Sequence, residues 1–323
     1  MAKEEKKERS LFSEKGFEIF NKYGIFIILL ILMLFMTIMI PGFLSTRNIF
    51  NIMRQMSIKG LLALGVTLII ITGGIDLSSG AVVAFASVVT ASFAQPGDSF
   101  LLAIIVGLGA GALAGLINGT IISKAKIPPF IATLGMMQAA RGVALLYSGG
   151  RPIGNLSEAF EFIGGGDILG LPVPIIIFSL LIIITHLILS QTKLGKSIYA
   201  IGGNEEAAYI CGINVPRVKL IIYTYAGLLA GLGAIILTSR ISSGQPTAGL
   251  TYEMDAIAGT VIGGTSLSGG IGSIGGTVVG VMIIGVLNNG LDLMNVSSYW
   301  QQILKGVIIV TAIIIDVWKR KRQ

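Results

Sequence analysis

The sequence has little of what most chemistry needs. Cys211 is the only cysteine, so no disulfide can form within the chain. His186 is the only histidine, which excludes a multi-histidine metal site within one chain. Charged residues make up 12% of the 323 residues, about half the usual share of a soluble domain. With 53% hydrophobic residues and a mean hydropathy of +0.86, the chain cannot cover itself with a water-compatible surface. The bilayer is its natural solvent. Proline is sparse and the 44 glycines follow no three-residue period, so collagen-like order is excluded. Glycine in this setting lets membrane helices approach closely. The basic excess, +7, sits beside apolar runs and suits topology and anionic headgroups; no nucleic-acid motif accompanies it.

Apolar runs long enough to cross a membrane lie near residues 25–40, 100–122, 172–190, 218–239, 273–291 and 300–317. Shorter or glycine-broken runs lie at 57–72, 79–94, 129–147 and 252–268. The pattern predicts an all-α polytopic bundle of about ten spans. The last of the shorter runs, with Asp255 and several small polar residues, reads as a partial or re-entrant span. Alternating from a cytosolic N-terminus puts the basic N-terminal arm, Lys124, Lys126, Lys193, Lys196, Arg217, Lys219 and the Lys319 to Arg322 tail on the inner side. Arg47, Arg54, Lys59, Arg151 and Arg240 fall outside, so both termini are expected in the cytosol. The expected organisation is an arm at 1–24, one membrane domain at 25–318 with a cytosolic loop at 191–217, and a basic tail at 319–323. The first apolar run is followed by Pro41-Gly42-Phe43 and no small-residue cleavage site, and reads as a retained span.

Within the loop, Asn204 is a suitable N-cap, Glu205 and Glu206 suit a first helical turn, Ala207 propagates it, and Gly212 is placed to end it. A helix of two turns is too short to stand alone. Packing on its own domain and docking on a partner are both open from spacing. Gly195-Lys196-Ser197 imitates the end of a phosphate-binding loop, but Ser190 stands where that pattern needs glycine and an apolar helix precedes it. Nucleotide binding is therefore excluded. An echo links GGIDLSSG at 73–80 with GGTSLSGG at 263–270, bringing Gly73 and Gly74 into correspondence with Gly263 and Gly264. It reads either as a trace of a transporter repeat or as coincidence in a glycine-rich chain.

Charges near the spans need partners. Asp76 suits an N-cap or a nearby base. Arg141 has Asp76, Glu253 or Asp255 as candidate partners, or a place on a solute path. Uncharged polar candidates for such a path are Asn118, Gln138, Asn288, Asn289 and Tyr299, each of which could equally bond helix to helix.

Five stretches carry a family resemblance: ITGGIDLSSGAVVA at 71–84, PPFIATLGMMQAARGVALLYSGGRPI at 128–153, GKSIYAIGGNEEAAYICGINVPRVK at 195–219, SSGQPTAGLTYEMDAIAGTVIGGTSLSGGIGSIGGT at 242–277 and LNNGLDLMNVSSYWQQILKGVIIV at 287–310. They resemble the ribose-type permeases of bacterial ATP-binding cassette (ABC) importers, within the branched-chain amino acid and sugar permease superfamily. The resemblance implies a bacterial inner-membrane subunit that works with a separate cytosolic ABC ATPase, an extracytoplasmic sugar-binding protein and a second copy of itself. It implies no cofactor and no catalysis by this chain. It also makes the 205–212 helix a coupling helix against the ATPase. Ribose is the sugar expected, with other monosaccharides open. An ion-coupled transporter would need a carboxylate deep in a span, whereas the acidic residues here fall near predicted span ends. A membrane enzyme would need a constellation of reactive groups that one His and one Cys do not supply.

Overall fold

A computed structural model describes residues 24–320. Most of the expected N-terminal arm and the last three residues of the basic tail lie outside the described residues. Among the described residues the regular secondary structure is helical apart from a hairpin of two-residue strands, β1 (Asp167–Ile168) and β2 (Leu171–Pro172). The helices are α1 (Gly24–Met39), α2 (Thr46–Ile71), α3 (Ser79–Ser92), α4 (Phe100–Lys124), α5 (Pro129–Ser148), α6 (Glu158–Gly165) and α7 (Val173–Gln191). They continue with α8 (Lys193–Gly203), α9 (Glu205–Ile210), α10 (Val215–Arg240), α11 (Tyr252–Ile262), α12 (Ile274–Leu293) and α13 (Ser298–Arg320). Six of them, α2, α4, α5, α7, α10 and α12, are long and apolar enough to cross a membrane.

Local chemistry sets the ends. Ser45 caps α2 by accepting from the Asn48 amide, which starts the helix well before the apolar run at 57–72. Pro129 opens α5, where its missing N–H costs nothing, and Gly149 in the left-handed region closes it. Ser273 caps α12 by accepting from the Gly276 amide. Helix α11 stops after 11 residues, about half a membrane thickness.

Helix α2 is the centre: every residue from Gly60 to Ile71 is buried. Helices α1, α4, α5 and α7 instead turn Leu30, Ile38, Leu101, Ile105, Ile131, Leu180 and Ile183 outward. So continuous an exposed apolar belt is untenable in water and natural in lipid.

The tightest packing is between α4 and α10. Gly107, Gly111, Gly115 and Gly119 recur every fourth residue along one face of α4. A Cβ on Gly111 would overlap the Gly227 carbonyl oxygen, and one on Gly227 would overlap that of Gly111. A Cβ on Gly115 would meet the Tyr223 carbonyl. Helices α11 and α12 cross the same way, with Gly259 and Gly263 against Gly280 and Gly276. Without a hydrophobic drive between helices in lipid, such backbone proximity supplies the attraction.

Gly111→Ala should destabilise the bundle by about 1–3 kcal/mol, because the obstruction is backbone on both sides. Gly109→Ala, where nothing lies within 4 Å, should leave the thermal midpoint in detergent unchanged or slightly raised.

Candidate functional site

The α8–α9 segment begins as a capped helix. Thr192 Oγ1 accepts from the Gly195 amide at 3.2 Å, so Gly195-Lys196-Ser197 lies in the opening turns of α8 directly after α7 and not in a loop between a strand and a helix. Asn204 Oδ1 then accepts from the Ala207 amide at 2.9 Å and starts α9. At the other end Gly212, at φ +83°, donates to the Tyr209 carbonyl while Ile213 donates to that of Ala208. This is the two-bond termination that needs a left-handed residue. Ala208 is buried and holds α9 to the bundle; Tyr209 and Ile210 point away, 69% and 77% exposed. Glu205 pairs with Lys219 at 2.8 Å, an exposed contact worth little to stability. Beside α9 lies a groove of about 710 Å³ between the α4–α5 connection and the start of α10, lined by Lys126, Ile127, Pro128, Glu205, Glu206 and Tyr209 among others.

Two non-helical breaks interrupt the bundle, and the echoed motifs lie in them. Gly73 ends α2 in the left-handed region, with its amide on the Ile70 carbonyl and that of Gly74 on Ile69. Gly264 ends α11 identically, with its amide on Val261 and that of Thr265 on Thr260. The two terminations match, but the capping glycines are the first of one pair and the second of the other. The breaks meet each other: the Gly270 amide donates to the Ile71 carbonyl at 2.8 Å.

A third non-helical stretch joins α10 to α11 and runs back along α3. Gly244 packs on Ser87, Val88 and Ala91, while Gly249 reaches Gly80 in the first turn of α3. Helices α3 and α11 therefore start beside one another, with the Glu253 carboxylate against Gly80. Arg141 faces this stretch. Its Nη1 donates to the carbonyls of Pro246 and Ala248 at 2.9 and 2.8 Å, satisfying backbone that no helix serves. Among the described residues Arg141 makes no ion pair. Asp255 is taken by Lys59 of α2 and Lys305 of α13, the latter at 2.9 Å, while Asp76 accepts from the amide and hydroxyl of Ser78.

The five uncharged path candidates do not converge. Asn118 donates to Ser78 Oγ at 2.9 Å within the Asp76 cluster, leaving its own Oδ1 without a partner. Asn289 exchanges two amide bonds with Asn48 and so ties α12 to α2. Asn288 is buried with neither polar atom bonded, facing a cavity of about 10 Å³ beside Gln55, Lys59 and Asp255, room for one water. Gln138 is exposed on α5 and Tyr299, 77% exposed, stands at the start of α13. Residue-by-residue reading of the sequence passed over Thr67, Thr260 and Thr277, whose hydroxyls meet between α2, α11 and α12. Only the three-way helix crossing reveals them. It also passed over the four-residue glycine period of α4, which was there to be read.

Comparison with known proteins gives a consistent picture. The family described as branched-chain amino acid transport system / permease component matches residues 48–313. The ribose import permease protein RbsC of Bacillus subtilis is 50% identical over 92% of this chain and 93% of its own length. RbsC of Escherichia coli K12 is 44% identical over 90% and 92%, and the L-arabinose transport system permease protein AraH of the same organism 38% over 94% and 93%. No solved structure matches.

Asp255→Ala would strand two ammonium groups that are each mostly buried, and should cost about 3–5 kcal/mol. Lys305→Met, which leaves Asp255 its second partner, should cost distinctly less; thermal unfolding of both variants in the same detergent makes the comparison.

Proposed function

This chain belongs to the family of permease components of branched-chain amino acid transport systems, and on that premise we propose that it is the membrane subunit of an ATP-driven importer that passes a monosaccharide, ribose, into a bacterial cell. The 50% identity to a ribose import permease, against 38% to an arabinose permease, favours ribose. Hydrolysis of ATP belongs to a separate cytosolic subunit, and delivery of the sugar to an extracytoplasmic binding protein.

The observation that carries the ATPase docking is α9 itself. Capped at both ends and held by one buried alanine, it presents Tyr209 and Ile210 beside a groove. An exposed aromatic and aliphatic tip on a short rigid helix is what a partner surface recognises. Asn204, Glu205, Glu206, Ala207 and Gly212 build and orient that helix.

The reading includes ten crossings with both termini cytosolic. In support, Arg54 pairs with Asp167 and Ile153 bridges Gly244, segments that this reading assigns to the outer face, while Lys219 pairs with Glu205 and Ile71 with Gly270 in segments that it assigns to the inner one. Helices α3 and α11 are then half-spans, completed by the non-helical stretches 73–78 and 241–251. Such backbone at membrane depth must be covered by protein or line a watery path. The sugar path accordingly runs past α5, which carries exposed Gln138 and the partly exposed Arg141, and past exposed Thr247 and Thr251 of the stretch whose carbonyls Arg141 bonds. A second copy covers that face, as exposed Gly135 and Gly142, with nothing within 4 Å, invite close approach. Asp76, Asp255, Gly73, Gly74, Gly263 and Gly264 serve architecture, and Asn118 and Asn289 bond helix to helix.

Alternating access then follows from closure of the ATPase, which biases the membrane helices between two packings.

In vesicles holding the whole importer, Glu206→Lys and Gly212→Pro should abolish uptake while the permease still inserts. Proline cannot adopt the positive φ that Gly212 holds, so the second change unmakes the α9 terminus. Undiminished uptake by both variants, or uptake by the permease alone on an ion gradient, would refute the reading.

A further inference from the structure

The segment that carries the docking helix is joined to both breaks by backbone. Helix α8 ends on Gly202 and Gly203, and Asn204 alone separates it from α9. A Cβ on Gly202 would overlap the Ile71 carbonyl oxygen and lie 2.5 Å from the Gly270 nitrogen. Gly202 therefore sits against the Gly270–Ile71 hydrogen bond, which joins the end of α2 to the second break. Gly269, itself at φ +84°, would with a side chain come within 2.8 Å of the Gly202 carbonyl oxygen and 3.1 Å of the Gly73 nitrogen. One turn earlier, the Tyr199 hydroxyl donates to the Gly272 carbonyl at 2.7 Å. Burial pushes the Tyr199 phenol up. Ile198 and Ile201, both buried, fix the same turns of α8 to the bundle.

Three chain segments from distant parts of the sequence thus meet with no side chain between their backbones. Packed interfaces of this kind shift between discrete arrangements more readily than they deform. A displacement of α9 has a rigid route through one helical turn to both places where the bundle is not helical. We propose that the last turns of α8, through Tyr199 and Gly202, are the strut that transmits movement of the docking helix to the 72–78 and 263–273 breaks, so that α2–α3 and α11–α12 change position together. Tyr199 and Gly202 are positioning residues; neither need touch sugar or nucleotide. The inference rests on the reading that α9 docks on an ATPase.

The test uses the complete importer, permease with ATPase and binding protein, in proteoliposomes. Tyr199→Phe deletes only the hydroxyl. It should leave assembly and ATP hydrolysis near the unaltered level while sugar imported per ATP falls about fivefold, the reach of one hydrogen bond on a two-state balance. Gly202→Ala should reduce that ratio further, and Gly203→Ala, with open space at its Cβ, should not change it. Hydrogen exchange with and without nucleotide adds a second readout. In the unaltered protein residues 72–78 and 263–273 should change protection together; in Tyr199→Phe the second stretch should no longer follow. Full coupling in Tyr199→Phe, or a proportional loss of hydrolysis and uptake with lowered thermal stability, would overturn the strut. Failure of the unaltered permease to bind the ATPase through α9 would instead overturn the docking reading, and is scored separately by co-purification.

Discussion

Every backbone N–H and C=O that lies in hydrocarbon must find its partner inside the protein. Long helices meet this condition by themselves, and α2, α4, α7 and α10 are of that kind. The rest of the architecture concerns the places where helices stop short. Each is served by a specific donor or acceptor: the Gly270 amide on the Ile71 carbonyl, Arg141 on Pro246 and Ala248, and the Tyr199 hydroxyl on Gly272. Arg141 illustrates the economy of the arrangement. Its guanidinium is costly in a span if left alone, and here it is an otherwise missing set of donors for an extended stretch.

Glycine gives this scheme its geometry. Between α4 and α10 it brings two continuous helices close enough for backbone contact. At Gly73, Gly212 and Gly264 it supplies a left-handed residue that closes a helix cleanly. At Gly202 it leaves room for another segment's carbonyl. One residue type does three different things, so a glycine count alone distinguishes none of them. The polar side chains divide in a similar way. Asn289 with Asn48, and Thr67 with Thr260 and Thr277, are bonds between helices, whereas Gln138 faces outward on the least enclosed of the long spans.

The combination suits the proposed reading, in which the subunit is moved by another. A continuous, glycine-packed frame around α2, α4 and α10 resists deformation, while the short helices α3 and α11 hang between non-helical stretches. Helix α9 is stiff for its size, because Asn204 and Gly212 satisfy both ends. A stiff small element against a frame with a few soft joints is the form in which a push at one face becomes a rearrangement at another.

The sequence alone determined the solvent, the helical class and the position of the short 205–210 helix, because these depend on composition and on spacing along the chain. The caps at Asn204 and Gly212 were legible for the same reason: each is a contact over three to five residues. Helix α2 was underestimated because its first turns carry Arg47, Asn48 and Arg54, which a window of hydropathy discounts although Ser45 starts the helix there. Tertiary structure alone decided which carboxylate meets which base, that Arg141 serves carbonyls, and that the two echoed motifs touch through Ile71 and Gly270. Lys59, Asp255 and Lys305 lie far apart in sequence, and their encounter depends on how three helices cross. Helix crossings in lipid are set by the fit of small surfaces, and that fit is written in no single segment.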